Sequence, residues 1–193
     1  MPDPAAPLSP GQFQDISSFR LPKGFRGRPA IVVLVWQLVQ ATLFGLSPRP
    51  MYAWRRFLLR LFGAKIGPGV EIRPTSRIAF PWKLEIANNV WVSDNTELYS
   101  LATIRIGAHS VISQRSYLCA AKHDHRRSDF AMIALPITIG EQVWVASDVF
   151  VAPGITIGDG AVVGARSSVF SDVPARAIVY GTPAQVKGWR GEA

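Results

Sequence analysis

Cysteine is nearly absent from this sequence of 193 residues, and its absence excludes two kinds of structure. The single thiol, Cys119, cannot form a disulfide bond within the chain and cannot build a metal cage from several thiolates. Because Cys119 follows the apolar Leu118 in a repeating pattern, we expect it to pack in the interior rather than to react. The thiol content favours a reducing compartment.

Acidic residues are also scarce, and the imbalance is confined to one end of the chain. The formal charge is +8, from 21 lysines and arginines against 13 aspartates and glutamates. Residues 1–62 hold eight basic side chains against Asp3 and Asp15, which gives +6 and leaves +2 for the rest. The basic character therefore belongs to the N-terminal region, and we expect no nucleic-acid partner.

Targeting signals and long apolar runs are lacking as well. The first residues do not form a basic segment followed by an apolar run and a cleavage site, so the sequence predicts no signal peptide and a cytoplasmic protein. The longest mostly apolar stretch, Ala30 to Leu46, would reach only about 25 Å as a helix, the short limit for crossing a bilayer. We expect it to pack against protein or to lie at a membrane surface.

A six-residue repeat organises most of what the sequence does contain. Aliphatic residues or alanine stand two positions before the first five clear repeat positions, and a small residue follows each of those five, so the pattern favours short strands joined by tight turns. Such hexads predict a parallel β-helix in which each strand stacks on the equivalent strand of the next coil. The clearest repeat positions are Ile139, Val145, Val151, Ile157, Val163 and Val169.

The same repeat begins at Ile66, and extra residues interrupt it only after every third hexad. We therefore predict an all-β fold of about five triangular coils, with all insertions at one corner. The longest insertion, residues 122–136, should project as a loop, and long excursions from a rigid scaffold commonly carry function. The predicted organisation is an N-terminal arm with two helices over residues 1–62, the β-helix over 63–175 and a short C-terminal segment over 176–193.

The second predicted helix, Met51 to Phe62, is amphipathic and basic. One interpretation is a cap that covers the open end of the β-helix, as repeat proteins require. The other is attachment to anionic lipid, and the two are compatible. The apolar face holds Trp54, Phe57, Leu58, Leu61 and Phe62, and the opposite face holds Arg55, Arg56 and Arg60.

The outward positions of the second face of the prism are also apolar. Trp91, Val111, Trp144 and Val162 would form a stripe along this face, whereas the first face carries polar residues there. Contiguous exposed apolar surface usually marks association. A three-faced rod is readily arranged around a threefold axis, so the stripe indicates an oligomer.

The projecting loop contains two of the three histidines in the chain, His123 and His125. Histidine takes up a proton near neutral pH, so an imidazole in a cleft can act as a general base on a hydroxyl or amine. A solvated polar loop without catalytic function is the alternative interpretation.

Several motifs together resemble the hexapeptide-repeat acyltransferases of the maltose, galactoside and nodulation O-acetyltransferase type. The resemblance covers Ile66 to Arg190 and is carried by the hexads, His123-Asp124, Pro136 to Gly140, Trp144 and Gly181 to Ala184. Within this family the chain is most similar to the acetyltransferases of colanic acid biosynthesis. That similarity is carried by Ser47-Pro48, Trp54-Arg55, Leu59 to Ala64, Pro81-Trp82 and Tyr117 to Cys119.

The resemblance implies a left-handed parallel β-helix, a homotrimer, and acetyl-CoA as the donor bound between neighbouring subunits. It implies that His123 is the general base, with Asp124 beside it, and that no metal takes part. The acceptor would be a hydroxyl of a saccharide in surface polysaccharide biosynthesis, carried on a nucleotide or a lipid. Contact with the membrane would then be peripheral.

The resemblance also assigns binding residues. Sugar acetyltransferases carry an asparagine on the second coil that contacts the acceptor, and the matching region here is Ser93, Asp94 and Asn95, with Tyr99 nearby. The cofactor residues would be Trp144, Ala146, Ser147, Gly164, Ala165, Arg166, Gly181, Pro183 and Lys187, with Arg190 as a further phosphate contact.

Two other functions remain open at this stage. A non-catalytic scaffold would keep the β-helix without binding CoA. A metal-dependent hydratase on the same fold would need three imidazoles around zinc, and the chain offers only His109, His123 and His125.

Overall fold

A computed structural model describes residues 13–191 of the chain, so the first twelve residues of the predicted arm and the last two of the C-terminal segment lie outside the described part. The centre of the molecule is a parallel β-helix of five coils, each with three short strands. The first coil holds β1 (Lys65–Ile66), β2 (Glu71–Ile72) and β3 (Arg77–Ile78). The second holds β4 (Leu84–Ile86), β5 (Trp91–Val92) and β6 (Glu97–Tyr99).

The remaining coils repeat this order on either side of a hairpin. The third coil holds β7 (Ile104–Ile106), β8 (Val111–Ile112) and β9 (Tyr117–Cys119), and the hairpin strands are β10 (Ala121–His123) and β11 (Met132–Ala134). The fourth coil holds β12 (Ile137–Ile139), β13 (Trp144–Val145) and β14 (Phe150–Val151). The fifth holds β15 (Thr156–Ile157), β16 (Val162–Val163) and β17 (Ser168–Val169).

Equivalent strands pair in parallel and form three faces of a prism. The first face is β1-β4-β7-β12-β15, the second contains β2-β5-β8-β13-β16, and the third is β3-β6-β9-β14-β17. Ile86, Ile106 and Ile139 are register partners on the first face, and every repeat position of the hexads is buried. The predicted five-coil β-helix is therefore confirmed, and its core is the interior of the prism.

Backbone spacing explains the small residue that follows many repeat positions. Adjacent coils stack at the distance of a β-ladder, about 4.8 Å. A Cβ atom added at Gly107 would lie 2.4 Å from the carbonyl carbon of Gly140 in the next coil. Side chains are excluded there because the two backbones already touch.

The C-terminal segment closes one end of the prism. Strand β18 (Ala177–Gly181) pairs in parallel with β16 and extends the second face, and β19 (Ala184–Trp189) returns antiparallel to β18. Val173, Ala177 and Val179 are buried against the fifth coil. This end of the core is therefore covered by apolar side chains.

All insertions leave the prism at the corner between the third and first faces, and the N-terminal arm lies along them. A short 3₁₀ helix, Ile16–Ser18, stands beside the hairpin, where the N–H of Asp15 donates to the Ser128 carbonyl at 2.7 Å. A second, Pro81–Lys83, carries Lys83, whose Nζ donates to the carbonyls of Phe25 and Leu101, each at 2.6 Å. The described part of the arm therefore packs against the insertions at this corner.

Two helices cover the other end of the prism, below the first coil. Helix α1 (Ala30–Val39) continues as a π-helical segment, Gln40–Phe44, and α2 (Tyr52–Leu61) follows after a turn. Trp36 donates from Nε1 to the Ile78 carbonyl at 2.8 Å, and Gln40 accepts from the Ile78 N–H at 2.7 Å. Because no coil lies below the first one, the carbonyl and N–H of Ile78 at the edge of β3 have no strand to pair with, and these two side-chain bonds satisfy them.

The arginines of α2 perform the same task for the other edge strands, which corrects the sequence interpretation of that helix. The helical pattern predicted that these arginines face solvent or lipid. In the structure they point at the prism instead, and Arg55 is fully buried. They donate to edge carbonyls: Arg55 to Ile72 (2.6 Å), Arg56 to Val70 (2.7 Å) and Arg60 to Ile66 (2.9 Å). A long cationic side chain offers several donors to groups that would otherwise be buried unpaired.

Replacing Arg55 by methionine should destabilise the protein by roughly 2–5 kcal/mol, because the stem is kept while several buried acceptors lose their donor. The acceptors are the carbonyls of Ile72, Pro48 and Arg49 and the Ser47 hydroxyl. Chemical denaturation measures the loss. Arg56→Met, which removes the single hydrogen bond to the Val70 carbonyl, is the control and should cost less. Equal midpoints for Arg55→Met and the parent would contradict the capping role.

Candidate active site

His123 ends the first strand of the hairpin and is held on two sides. Its Nδ1 lies 2.7 Å from the carbonyl oxygen of Phe130, and the Phe130 ring stacks on the imidazole at 4.3 Å and 9°. A carbonyl can only accept, so Nδ1 carries the proton of the neutral ring. Nε2 is then the lone-pair nitrogen, which is the arrangement that a general base needs.

The N-terminal arm completes the surroundings of this ring. Phe19 contacts the imidazole at a centroid distance of 5.8 Å, on the segment that Asp15 ties to the hairpin. His123 is half-buried as a result, whereas His125 is exposed in the turn. Of the two loop histidines, only His123 has a fixed ring orientation.

The acidic residues of the loop are engaged elsewhere in the turn. Asp124 accepts from the backbone N–H of Arg126 at 3.0 Å. Asp129 forms a two-pronged ion pair with Arg127, at 2.9 and 2.8 Å, and this pairing lowers the pKa of the Asp129 carboxyl. The group that orients His123 is therefore the Phe130 carbonyl rather than either carboxylate.

A small cavity of about 240 Å³ lies beside His123. Tyr99 and Tyr117 contact each other edge to face across it, at 6.0 Å. Burial raises the pKa of both phenols, most of all that of Tyr117, where a hydrogen bond with Cys119 adds to the effect. Both hydroxyls are therefore neutral donors near neutral pH. The other lining residues are Cys119, Ala121, Lys122 and Met132.

Two of these residues, Tyr117 and Lys122, were missed by sequence reasoning. Tyr117 occupies an outward hexad position directly before the insertion, which was the available signal. Tyr99, by contrast, was predicted as a substrate residue and does line the cavity. A larger hollow of about 690 Å³ lies on the first face around Lys65, Glu85 and Arg105, away from His123, and Glu85 there is committed to ion pairs with both cations.

The predicted cofactor residues come together on another side of the prism. Trp144 projects from the second face with half of its surface exposed, and its Nε1 donates to the Ser113 hydroxyl at 3.1 Å. Ala146 and Ser147 form the next corner, between the second and third faces. Directly above them, the N–H of Arg166 donates to the Ser147 carbonyl at 2.9 Å, so Gly164, Ala165 and Arg166 continue the same strip.

The C-terminal hairpin borders this strip. Gly164 is so close to β18 that an added Cβ would lie 2.8 Å from the Cβ of Tyr180. The N–H of Gly181 donates to the Ser167 hydroxyl at 3.1 Å, which places the turn holding Pro183 at the same corner. Lys187 lies over the Tyr180 ring at 5.9 Å. The strip therefore has small residues along its length and cations at its border.

The predicted acceptor residues Ser93, Asp94 and Asn95 lie at the same corner, two coils below Ser147. The Asp94 carboxylate is engaged there by Arg49 at 2.7 Å and by the Thr75 hydroxyl at 2.9 Å. This contact ties the turn between the helices to the second coil. Asp94 thus has a structural partner, and the structure separates this group from Tyr99.

One protomer cannot bring His123 and Trp144 together. The hairpin with His123 leaves the corner between the third and first faces, whereas Trp144 projects from the second face, which is opposite that corner. A site that uses both residues must form between two copies of the chain.

The third imidazole, His109, lies in the turn after β7. Residues 13–191 contain no cluster of three side chains suited to a metal ion.

Comparisons with known proteins identify relatives of this chain. The family model "Bacterial transferase hexapeptide (six repeats)" matches residues 136–171. The chain is 60% identical over 173 residues to WcaF of Escherichia coli K12, named a colanic acid biosynthesis acetyltransferase; the match covers 90% of this chain and 95% of that protein.

Solved structures of acetyltransferases are similar in fold. A hexapeptide-repeat acetyltransferase from Vibrio cholerae in complex with acetyl-CoA matches with a TM-score of 0.75 and 26% identity, covering 88% of this chain and 89% of that one. A galactoside acetyltransferase in complex with coenzyme A matches with a TM-score of 0.77 and 26% identity, covering 87% and 83%. The coil is accordingly the left-handed β-helix of these proteins.

If the second face is a contact between copies, replacing both Trp91 and Trp144 by glutamate should dissociate the oligomer. An unpaired charge in a desolvated contact costs several kcal/mol. Analytical ultracentrifugation measures the mass of the assembly. The control adds the same charges to the first face, at Thr138 and Thr156, and should leave the mass unchanged. A double tryptophan variant as large as the parent would refute the contact.

Proposed function

The chain belongs to the hexapeptide-repeat acetyltransferase family, and on this basis we propose that it transfers the acetyl group of acetyl-CoA to a hydroxyl of a surface-polysaccharide saccharide. The observation that carries the proposal is the fixed ring of His123, with Nδ1 on a carbonyl and Nε2 free beside a cavity with two neutral phenols. Neutral hydroxyl donors and an imidazole suit a polyhydroxylated acceptor.

The chemistry needs one proton acceptor and good alignment. Nε2 of His123 takes the proton of the acceptor hydroxyl while that oxygen attacks the thioester carbonyl carbon. The C–S bond then breaks, and the imidazolium returns its proton to the CoA sulfur. The Phe130 carbonyl stabilises the imidazolium during this cycle because it accepts from the ring in both protonation states. Holding both substrates on a rigid prism supplies the alignment.

The strip from Trp144 to Gly181 is suited to the donor. Ser147 and Ala165 carry only small side chains at the surface of the strip, so an extended pantetheine arm can lie close to the backbone there, whereas the Cβ side of Gly164 is covered by Tyr180 of β18. Arg166 has a side chain that is 84% exposed, with its Nε 3.7 Å from the Asp148 carboxylate, and Lys187 stands at the border; both cations lie where they can reach phosphate oxygens.

The assembly is a homotrimer in which each site lies between two protomers. The opposite placement of His123 and Trp144 supports this arrangement, because only a neighbour can supply the missing half. The positions of these residues along the prism axis support the shared site as well. The hairpin with His123 leaves between the third and fourth coils, Trp144 stands on the fourth, and Ser93 to Asn95 lie on the second. The donor would approach from the fourth and fifth coils and the acceptor from the second and third.

The acceptor is a building block of a surface polysaccharide, carried on a nucleotide or a lipid and acetylated in the cytoplasm. The name of WcaF, in colanic acid biosynthesis, supports this substrate class. Tyr99, Tyr117 and Lys122 are the residues placed to contact such an acceptor near His123.

Replacing His123 by alanine should lower kcat by roughly 10²- to 10⁴-fold, the usual contribution of a positioned base. Affinity for acetyl-CoA should be unchanged, because the ring acts on the acceptor proton. Release of CoA, followed with a thiol reagent, measures turnover, and calorimetry measures binding. His125→Ala is the matched control and should cost less than about tenfold. Parental turnover by the His123→Ala enzyme would disprove the assignment, and an inactive His125→Ala enzyme would reverse it.

Mixing two inactive variants tests whether the site is shared. His123→Ala subunits keep the donor strip, and Trp144→Ala subunits keep the base. In randomly reassembled trimers roughly a quarter of the sites should combine an intact base with an intact strip, so activity should reappear. Each variant reassembled alone is the control. If the mixture stays as inactive as its components, each site lies within one protomer.

A further inference from the structure

The helices below the first coil expose an apolar surface that the proposed function does not use. We name it the cap face and define it by six side chains that are all at least 43% exposed. On α1 the exposed positions recur at helical spacing, and on α2 they lie opposite the arginines that point at the prism. The six are Ile31, Leu34, Val35, Leu38, Phe57 and Leu61.

The cap face is continuous between the two helices. Trp54 donates from Nε1 to the Leu43 carbonyl at 2.9 Å, and its ring stacks on Phe57 at 5.7 Å. Leu43 and Leu46, in the segment that joins the helices, are themselves 52% and 80% exposed. Apolar surface of this extent usually marks a site that another surface covers.

The direction of the cap face follows from what the helices cap. N–H groups of the first coil, such as those of Gly67 and Arg73, donate to carbonyls of the second coil. The Ile66, Ile72 and Ile78 carbonyls, which the helices satisfy, point the opposite way, away from the rest of the prism. The outer sides of the helices therefore face outward along the axis. Three protomers around a parallel threefold axis would present three such faces in one plane.

The segment that forms the cap face carries charges of one sign only. Between Ile16 and Val70 the sequence contains no aspartate or glutamate. Arg26 and Arg28, shortly before α1, are exposed, and neither forms an ion pair within residues 13–191. Arg28 reaches the end of α2 beside Gly63. Cations beside exposed apolar side chains complement a surface with anionic headgroups above an acyl interior.

The length of the helices decides whether they could cross a bilayer or only lie in its surface. Each helix has ten residues, and none of the helices in the described part of the chain is long and apolar enough to cross a membrane. An apolar stripe on a short helix lies in the plane of the interface, with its side chains at the boundary between headgroups and acyl chains.

We propose that the cap face binds the surface of an anionic phospholipid bilayer. Its leucines, isoleucine, valine and phenylalanine enter the headgroup boundary, and Arg26 and Arg28 meet lipid phosphates. The arginines of α2 take no part, because their guanidinium N–H groups already donate to carbonyls at the edge of the first coil. This inference concerns where the protein sits and does not depend on acetyl transfer.

Flotation of the full chain with vesicles tests it. The parent should float with vesicles of phosphatidylethanolamine and phosphatidylglycerol, and Leu34→Glu/Leu38→Glu should lower its partition coefficient by at least about tenfold, since two apolar side chains are lost from the boundary. Phe170→Glu is the control, because Phe170 is a 58% exposed apolar residue on the last coil, and it should float like the parent. Replacing Arg26 and Arg28 by glutamine should weaken flotation mainly at low salt.

Three results would overturn the proposal: a parent that does not float with anionic vesicles, a double variant that floats like the parent, or a double variant whose sedimentation mass falls below that of the parent. The last result would assign the cap face to a contact between copies. Turnover on a soluble sugar, measured on the same samples, separates this outcome from the function. A double variant that loses flotation and keeps parental turnover supports the membrane contact whatever the acceptor is.

Discussion

The open edge of the first coil is the constraint on which the rest of this structure depends. Each coil of a parallel β-helix uses its neighbours to satisfy its backbone groups, so the terminal coil leaves carbonyls without a donor. Here Arg55, Arg56 and Arg60 supply the donors, and Trp36 and Gln40 complete the third edge. With these arginines at the prism, Phe57 and Leu61 of α2 face outward, whereas Leu58 still packs in the core. The exposed cap face is thus a direct consequence of how the β-helix is terminated.

The same regularity determines how catalysis can be organised. A strict three-strand coil has no cleft of its own, because its interior is filled by stacked aliphatic side chains. Functional groups must therefore come from corners, insertions and neighbouring copies. His123 comes from the one long insertion and Trp144 from the opposite face, so the prism separates the proposed base from the proposed donor strip within a protomer. In the proposed homotrimer a neighbouring copy supplies the missing half, so that proposal makes the oligomer part of the chemistry.

The corner with the insertions links the two ends of the molecule. The N-terminal arm begins beside the His123 hairpin, contacts Lys83 through the Phe25 carbonyl, and enters α1 below the first coil. One segment therefore packs against both the His123 imidazole and the surface next to the cap. Orientation of His123 by the Phe130 carbonyl places the proton of the neutral ring on Nδ1 and leaves Nε2 as the lone-pair nitrogen.

The sequence by itself determined the coils, because the inward position recurs every sixth residue and burial of Ile139 or Val163 depends only on that period. It also located the insertion and, through resemblance to a family, pointed to His123 as the proposed base and to the proposed donor strip around Trp144. Only the tertiary structure decided which side of α2 faces the protein, since a helical pattern separates Arg55 from Phe57 without saying what lies against either. It likewise decided that Phe130 orients the imidazole and that Tyr117 borders it. Those partners lie across a turn or in a neighbouring coil, and local periodicity carries no information about contacts that form only when the chain folds back on itself.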